Sequence, residues 1–145
     1  METILNDYLN NILPKNTLII HYHIGNTLVG ETNMTLYGDG TYKLWSTVTN
    51  DRQKLNFTGT LNPFEVNTII RMIIETKIWT IKPKHPIPYP DDAEAYITIT
   101  ANKKEITIRL LISQIKTEPA FAKIQEAILN LVQKLSDREI LETGN

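Results

Sequence analysis

Apolar and polar residues alternate along much of this chain, and this period of two constrains the fold more than any other feature. Successive side chains of a strand point to opposite sides of a sheet, so alternating segments predict strands with one apolar and one polar face. A preceding segment rich in β-branched residues predicts one more strand. The predicted strands are residues 17–24, 27–37, 41–49, 55–61, 95–101 and 106–112. We therefore predict an antiparallel sheet of about five or six strands.

Two short turn sequences connect neighbouring strands. Gly38-Asp39-Gly40 follows the strand that ends at Tyr37, and glycine adopts without strain the positive φ that tight turns use. Asn102-Lys103-Lys104 separates the last two strands in the same way. Both turns predict β-hairpins.

Three other segments place apolar residues at spacings of three and four, which is typical of amphipathic helices. They are residues 1–14, 63–77 and 119–136. Thr3 is the predicted cap of the first helix and Asn62 that of the second. The polar tail, residues 137–145, is predicted to fray.

Length and composition are those of one compact domain. The chain has 145 residues, of which 41% are hydrophobic and 21% charged, close to the averages for globular proteins. Helices with one apolar stripe and strands with one apolar face bury both by packing together. We therefore predict a single α+β domain spanning residues 1–145, a two-layer sandwich with helices packed on one face of the sheet.

Charge and cysteine content argue against several classes of function. Fifteen Lys and Arg residues balance sixteen Asp and Glu residues, so no excess of positive charge favours nucleic acid or an anionic membrane. The sequence has no cysteine, which excludes disulfides and thiolate metal sites and favours the cytoplasm. The common nucleotide-binding, serine-hydrolase and zinc-protease motifs are absent from the sequence, and we expect no cofactor.

The segment Tyr37-Gly38-Asp39-Gly40-Thr41 resembles a loose class of small, uncharacterised bacterial α+β domains. In that class the YGDGT hairpin is followed by a helix, a second hairpin and a closing helix. The matching parts here cover residues 30–135. The resemblance implies this order of elements and no catalytic residue.

Aromatic and basic residues on the polar sides of the predicted strands form the first group of candidate functional residues. They are Tyr37, Lys43, Trp45, Tyr96 and Arg109. Aromatic residues and arginine are enriched at the centres of protein interfaces. RNA-binding sheets also carry aromatic residues, but they add a basic surround that this chain lacks. The group therefore favours a protein-binding surface, and the alternative is that these residues cover the edge of the sheet or pack under the N-terminal helix.

The histidines form the second group. His21 and His23 are two residues apart on a predicted strand, so both imidazoles project from one face, a spacing that metal sites use. Glu31 or His85 is a candidate third ligand. Two histidines on the polar side of a strand are also compatible with a surface that binds no metal.

The segment 82–92 has four prolines in eleven residues and predicts a long irregular loop. Its His85, Tyr89 and Asp91 are candidates for contacting a partner. Asp91, Asp92 and Glu94 form an acidic cluster, which is more typical of a solvated turn than of a cation site.

These observations favour a non-enzymatic domain whose open sheet face binds a protein partner or a second copy of the chain. The alternative is a protein that binds a small ligand or a metal, or an enzyme, with its site near His21, His23 and His85.

Overall fold

The structure, a computed structural model, describes residues 1–26, 30–47, 54–82 and 93–142. Within these ranges the chain forms six strands and four α-helices. The strands are β1 (Ile19–Asn26), β2 (Gly30–Tyr37), β3 (Thr41–Thr47), β4 (Lys54–Thr60), β5 (Glu94–Ala101) and β6 (Lys104–Leu111). The helices are α1 (Glu2–Leu9), α2 (Pro63–Thr76), α3 (Ile112–Ile115) and α4 (Pro119–Glu142).

All six strands join one antiparallel sheet in the order β4-β3-β2-β1-β5-β6. Every neighbouring pair except β1 and β5 is also consecutive in the sequence. The β1–β5 pair places His23 opposite Tyr96 and makes β1 a central strand, paired on both sides. β1 therefore joins the four-stranded part of the sheet, β1 to β4, to the β5–β6 hairpin.

The helices pack on one face of this sheet, as the two-layer prediction requires. The alternating strand residues on that face are buried in one hydrophobic cluster with the apolar stripes of α1, α2 and α4. Tyr22, in the middle of β1, is 1% exposed, and its hydroxyl accepts a hydrogen bond of 3.0 Å from Gln125 Nε2 of α4. Burial raises the pKa of Tyr22 to about 12, although the hydrogen bond from Gln125 opposes this shift. The phenol therefore stays protonated in the core.

The Gly38-Asp39-Gly40 turn closes the β2–β3 hairpin as predicted, but the two glycines act differently. Gly40 has φ of 97°, a conformation that other residues adopt with strain. Gly38 is needed for space, because a Cβ there would lie 2.3 Å from the carbonyl oxygen of Lys15. The Asp39 carboxylate accepts hydrogen bonds from the backbone N–H and the hydroxyl of Thr41. These bonds lower the pKa of Asp39, that from the hydroxyl most.

Of the two predicted helix caps, one is confirmed and the other is wrong. Asn62 caps α2, because its Oδ1 accepts a hydrogen bond of 2.9 Å from the backbone N–H of Glu65. The prediction for Thr3 is wrong, because α1 begins at Glu2, with Met1 at the N-cap two residues before Thr3 and no side-chain cap. The helix also ends before Pro14, since Asn11 adopts a left-handed φ of 60°.

Several boundaries differ from the prediction by a few residues. β1 begins at Ile19, because residues Lys15–Thr17 form a 3₁₀ turn. The β5–β6 turn needs only Asn102 and Lys103, both with positive φ, so β6 begins at Lys104. The short helices Ile78–Thr80 and Ile112–Ile115 lack the several turns that make a periodic pattern recognisable, and they were not predicted.

The last helix extends beyond residue 136, where its apolar stripe was predicted to end, to Glu142. Fraying of the tail stays a prediction. Within the described ranges, no helix is both long and apolar enough to cross a membrane.

Tyr8 connects the N-terminal segment to the turn of the β5–β6 hairpin. Its side chain is 1% exposed, and its hydroxyl lies 2.8 Å from Thr17 Oγ1. Thr17 donates its own proton to the Pro14 carbonyl at 2.6 Å, so the Tyr8 hydroxyl donates to Thr17. It also accepts a 2.8 Å hydrogen bond from the backbone N–H of Asn102. One hydroxyl thus bridges α1, the 3₁₀ turn and the β5–β6 hairpin.

We expect Tyr8→Phe to lower the free energy of unfolding by about 1–2 kcal/mol, because it removes both hydrogen bonds and keeps the buried ring. Urea unfolding followed by tryptophan fluorescence measures this change. Tyr37→Phe, at a half-exposed position, is the control and should change stability by less than about 0.5 kcal/mol. Equal midpoints for Tyr8→Phe and the unmodified protein would show that the bridge contributes nothing.

Candidate functional site

The face of the sheet opposite the helices carries both groups of candidate residues, and we call it the open face. The register places the five predicted interaction residues on it, Tyr37, Lys43, Trp45, Tyr96 and Arg109. His21 and His23 lie on the same face of β1. The two groups are therefore neighbours on one surface.

One row of directly opposed residues crosses all six strands of this face, and we call it the central row. It consists of Asn56, Trp45, Asn33, His23, Tyr96 and Arg109, in order from β4 to β6. The next row contains Lys43, Thr35 and His21. Tyr37 lies one row further, opposite Ile19. Three of the five predicted interaction residues thus share a single row.

Three side chains of the central row are stacked. The rings of His23 and Tyr96 are 4.8 Å apart between centroids and inclined by only 18°. On the neighbouring strand β6, Arg109 Cζ lies 5.0 Å from the Tyr96 centroid, within cation–π distance. The Arg109 guanidinium also lies 3.7 Å from the Glu94 carboxylate. Adjacent strands are about 4.8 Å apart, so opposed planar groups stack when they stand upright on the sheet.

Hydrogen bonds from β2 orient both histidines. His23 Nδ1 lies 2.9 Å from Asn33 Oδ1. An amide oxygen only accepts, so His23 carries a proton on Nδ1, and Nε2 is the accepting nitrogen of the neutral ring. His21 Nδ1 lies 2.8 Å from Thr35 Oγ1. The Tyr96 ring also stacks on His21, at 5.9 Å between centroids.

Burial lowers the pKa of His21 below its ordinary value of 6.5. A hydrogen bond to the Asn33 side chain opposes this effect, and the charge of nearby His23 adds to it. His21 is therefore neutral at pH 7.

The described part of the chain brings together no group of three or more potential metal ligands from histidine, aspartate and glutamate. His21 and His23 are neighbours, and Glu31 on the same face does not complete a cluster with them. His85, the other candidate ligand, lies outside the described residues. Two imidazoles are fewer than the three protein ligands of catalytic zinc sites.

Most of the proline-rich segment lies outside the described residues, including His85, Tyr89, Asp91 and Asp92. Glu94, from the predicted acidic cluster, is described and lies at the start of β5, where its carboxylate faces Arg109. This residue therefore belongs to the surroundings of the central row.

Sequence reasoning missed Asn33 and Thr35, which orient the two histidines. Their alternation showed that they lie on the polar side of β2, but not which residues of β1 they face. The pairing register of β1 and β2 would have identified them as partners of the histidines. Three residues, 27–29, separate the two strands, so the register does not follow from the rules for two-residue turns.

We expect the free energy of unfolding to depend on pH because His21 binds a proton less readily in the folded state. Its lowered pKa means that the unfolded chain binds this proton more readily, so acidification through pH 6.5 destabilises the folded state. The melting temperature should fall more between pH 7.5 and 5.0 for the unmodified protein than for His21→Gln. The pKa of Asp39 is lowered below its ordinary range by its hydrogen bonds to Thr41, so this carboxylate does not act in this window. Parallel pH profiles for the two proteins would contradict the assignment.

In comparisons with known proteins, no family model matches the chain and no curated protein is significantly similar to it.

Proposed function

We propose that this protein is a non-enzymatic interaction domain whose open face binds a protein partner. The observation that carries the proposal is the central row, which aligns Trp45, His23, Tyr96 and Arg109 across the sheet on the side away from the helices.

The chemistry of the row suits the centre of a protein interface. Arginine, tyrosine and tryptophan are the residues that most often dominate binding energy. Arg109 is held between the Tyr96 ring and the Glu94 carboxylate, so it loses less side-chain entropy on binding than a free arginine. Its side chain is still 58% exposed and can contact a partner.

The size of the face is also suitable. Six strands at about 4.8 Å spacing and seven residues at about 3.3 Å each give a face of roughly 670 Å². Stable protein interfaces bury about 600–1,000 Å² on each partner. The open face alone therefore favours an interface at the lower end of this range.

Charge favours a protein over a nucleic acid. Lys43 and Arg109 are the basic residues among the described side chains of the face, and Glu31, Glu94 and Glu105 lie among them. A surface with both signs lacks the uniformly positive field that binds a phosphate backbone. The absence of cysteine from the sequence favours the cytoplasm as the place of this interaction.

The second candidate function is binding of a divalent metal at the two histidines. It is favoured by the hydrogen bond from His23 Nδ1 to Asn33, because such a bond leaves Nε2 available, as in many metal sites. A metal that binds only the folded state raises the melting temperature. A rise with excess zinc or nickel that His23→Gln abolishes would favour this function over the first.

Site-specific photo-crosslinking in cells tests the interaction proposal. A photoreactive residue in place of Thr107, exposed beside Arg109 on β6, should form an adduct with one defined protein or with a second copy of the chain. The same residue in place of Thr3, exposed on α1 in the helical layer, is the control and should not form it. No adduct from Thr107, or identical adducts from both positions, would contradict the proposal.

The affinity for the crosslinked protein should then depend on the central row. Arg109→Ala should raise the Kd about tenfold or more, because it removes an arginine from the centre of the surface. Glu105→Ala, exposed on the same strand and two rows away, should change it less than about threefold. Isothermal titration calorimetry measures both, and equal effects of the two substitutions would contradict the central position of Arg109 in the interface.

A further inference from the structure

An apolar groove runs between α2 and α4 on the outside of the helical layer, away from the open face. Ile69, Met72, Ala127 and Leu131 line it together with Phe64, whose side chain is 74% exposed. Phe64 is the most exposed of the large hydrophobic residues in the described part of the chain. An aromatic ring in this position loses contact with water only if another surface covers it.

The two helices run antiparallel along this groove. Lys134 Nζ lies 3.4 Å from Glu65 Oε2, which places the late part of α4 beside the start of α2. Ile69 and Ile128 line the same small internal cavity, so the residue number rises on α2 as it falls on α4. This alignment determines which surface charges of the two helices have the same position along the groove, which we call the same level.

The charges on the two helices alternate with opposite sign at matching levels. On α2, Glu65 is followed by Arg71 and Glu75, and on α4, Lys134 corresponds to Glu65. The α4 side chains at the two further levels are Glu126 and Lys123, both exposed. At a rise of about 1.5 Å per residue, the ten residues from 65 to 75 and the eleven from 123 to 134 span nearly equal lengths.

We propose that the surface formed by α2 and α4 is a homodimer interface, with a second copy of this chain as its occupant. Two copies packed face to face are related by a two-fold axis that lies in the interface. If the axis runs along the groove, α2 of each copy lies on α4 of the other. All three charges on α2 then meet opposite charges, Glu65 with Lys134, Arg71 with Glu126, and Glu75 with Lys123.

The other face-to-face arrangement has its axis across the groove and places α2 on α2. Arg71 then faces α2 of the other copy and not Glu126, so the charge exchange described below would not restore that dimer. In the arrangement along the groove, each Phe64 packs on Leu131 and on the aliphatic part of Lys134 in the other copy.

This inference does not depend on the proposed function of the open face. The helical layer and the open face are opposite sides of a two-layer domain, so the dimer leaves both open faces accessible. A partner with two binding sites would then bind with increased avidity.

Sedimentation equilibrium of the full chain over a range of concentrations tests the dimer. We expect a monomer–dimer equilibrium whose dissociation constant rises about tenfold or more in Phe64→Ala. Ile12→Ala, which truncates another highly exposed residue outside the groove, should leave it unchanged. Circular dichroism should show that both variants fold, because the truncated side chains are 74% and 66% exposed.

A charge exchange distinguishes this interface from any other. Arg71→Glu and Glu126→Arg should each weaken the dimer, because each creates a like-charge contact, and the double variant should restore it. A protein that is monomeric at all concentrations would overturn the proposal. So would a dimer that is insensitive to Phe64→Ala and to the charge exchange, or one that Arg109→Ala on the open face dissociates instead.

Discussion

The pairing of β1 with strands on both sides is the interaction on which the rest of the structure depends. β1 joins β2, its neighbour in the sequence, to β5, which lies about seventy residues further along the chain. On its inner face Ile20 and Tyr22 anchor the core, and on its outer face His21 and His23 form the middle of the open face. A shift of one residue in this register would exchange the two sets, exposing Tyr22 and burying two imidazoles. The burial of Ile20 and Tyr22 therefore determines the position of the outer residues as well.

The stacking on the open face follows from the same pairing. Tyr96 meets His23 only because β5 lies beside β1, and it meets Arg109 because the two-residue turn at Asn102 and Lys103 sets the β5–β6 register. Planar side chains at the spacing of adjacent strands stack with little adjustment. The proposed interaction would gain from this arrangement, because stacked side chains have less conformational entropy to lose on binding. On the opposite side, the antiparallel packing of α2 and α4 places alternating charges at matching levels, so this small domain presents two chemically different surfaces.

Much of the fold was predictable because its signals are local. Period-two alternation identified five of the strands, and β-branched residues identified the first. Asn62 with Pro63 and Glu65 marked the start of α2, since a cap needs only the next few residues. The errors have local causes of another kind. Thr3 has the chemistry of a cap, yet α1 starts at Glu2, and Asn11 ends that helix with a left-handed conformation that spacing alone does not reveal. In the candidate site, alternation was enough to place the aromatic, basic and histidine residues on the polar side of their strands. It did not single out Asn33 and Thr35, because their role depends on hydrogen bonds to His23 and His21 on the neighbouring strand.

The sequence by itself determined which residues alternate, which segments are amphipathic helices and which side chains lie on the polar side of each strand. These properties depend on residues within a few positions of one another, and the chain displays them directly. Only the tertiary structure decided that β1 pairs with β5, that Trp45, His23, Tyr96 and Arg109 form one row, and that Glu65 lies beside Lys134. Those contacts join distant parts of the chain, and they are selected by the burial of a shared core rather than by any local pattern.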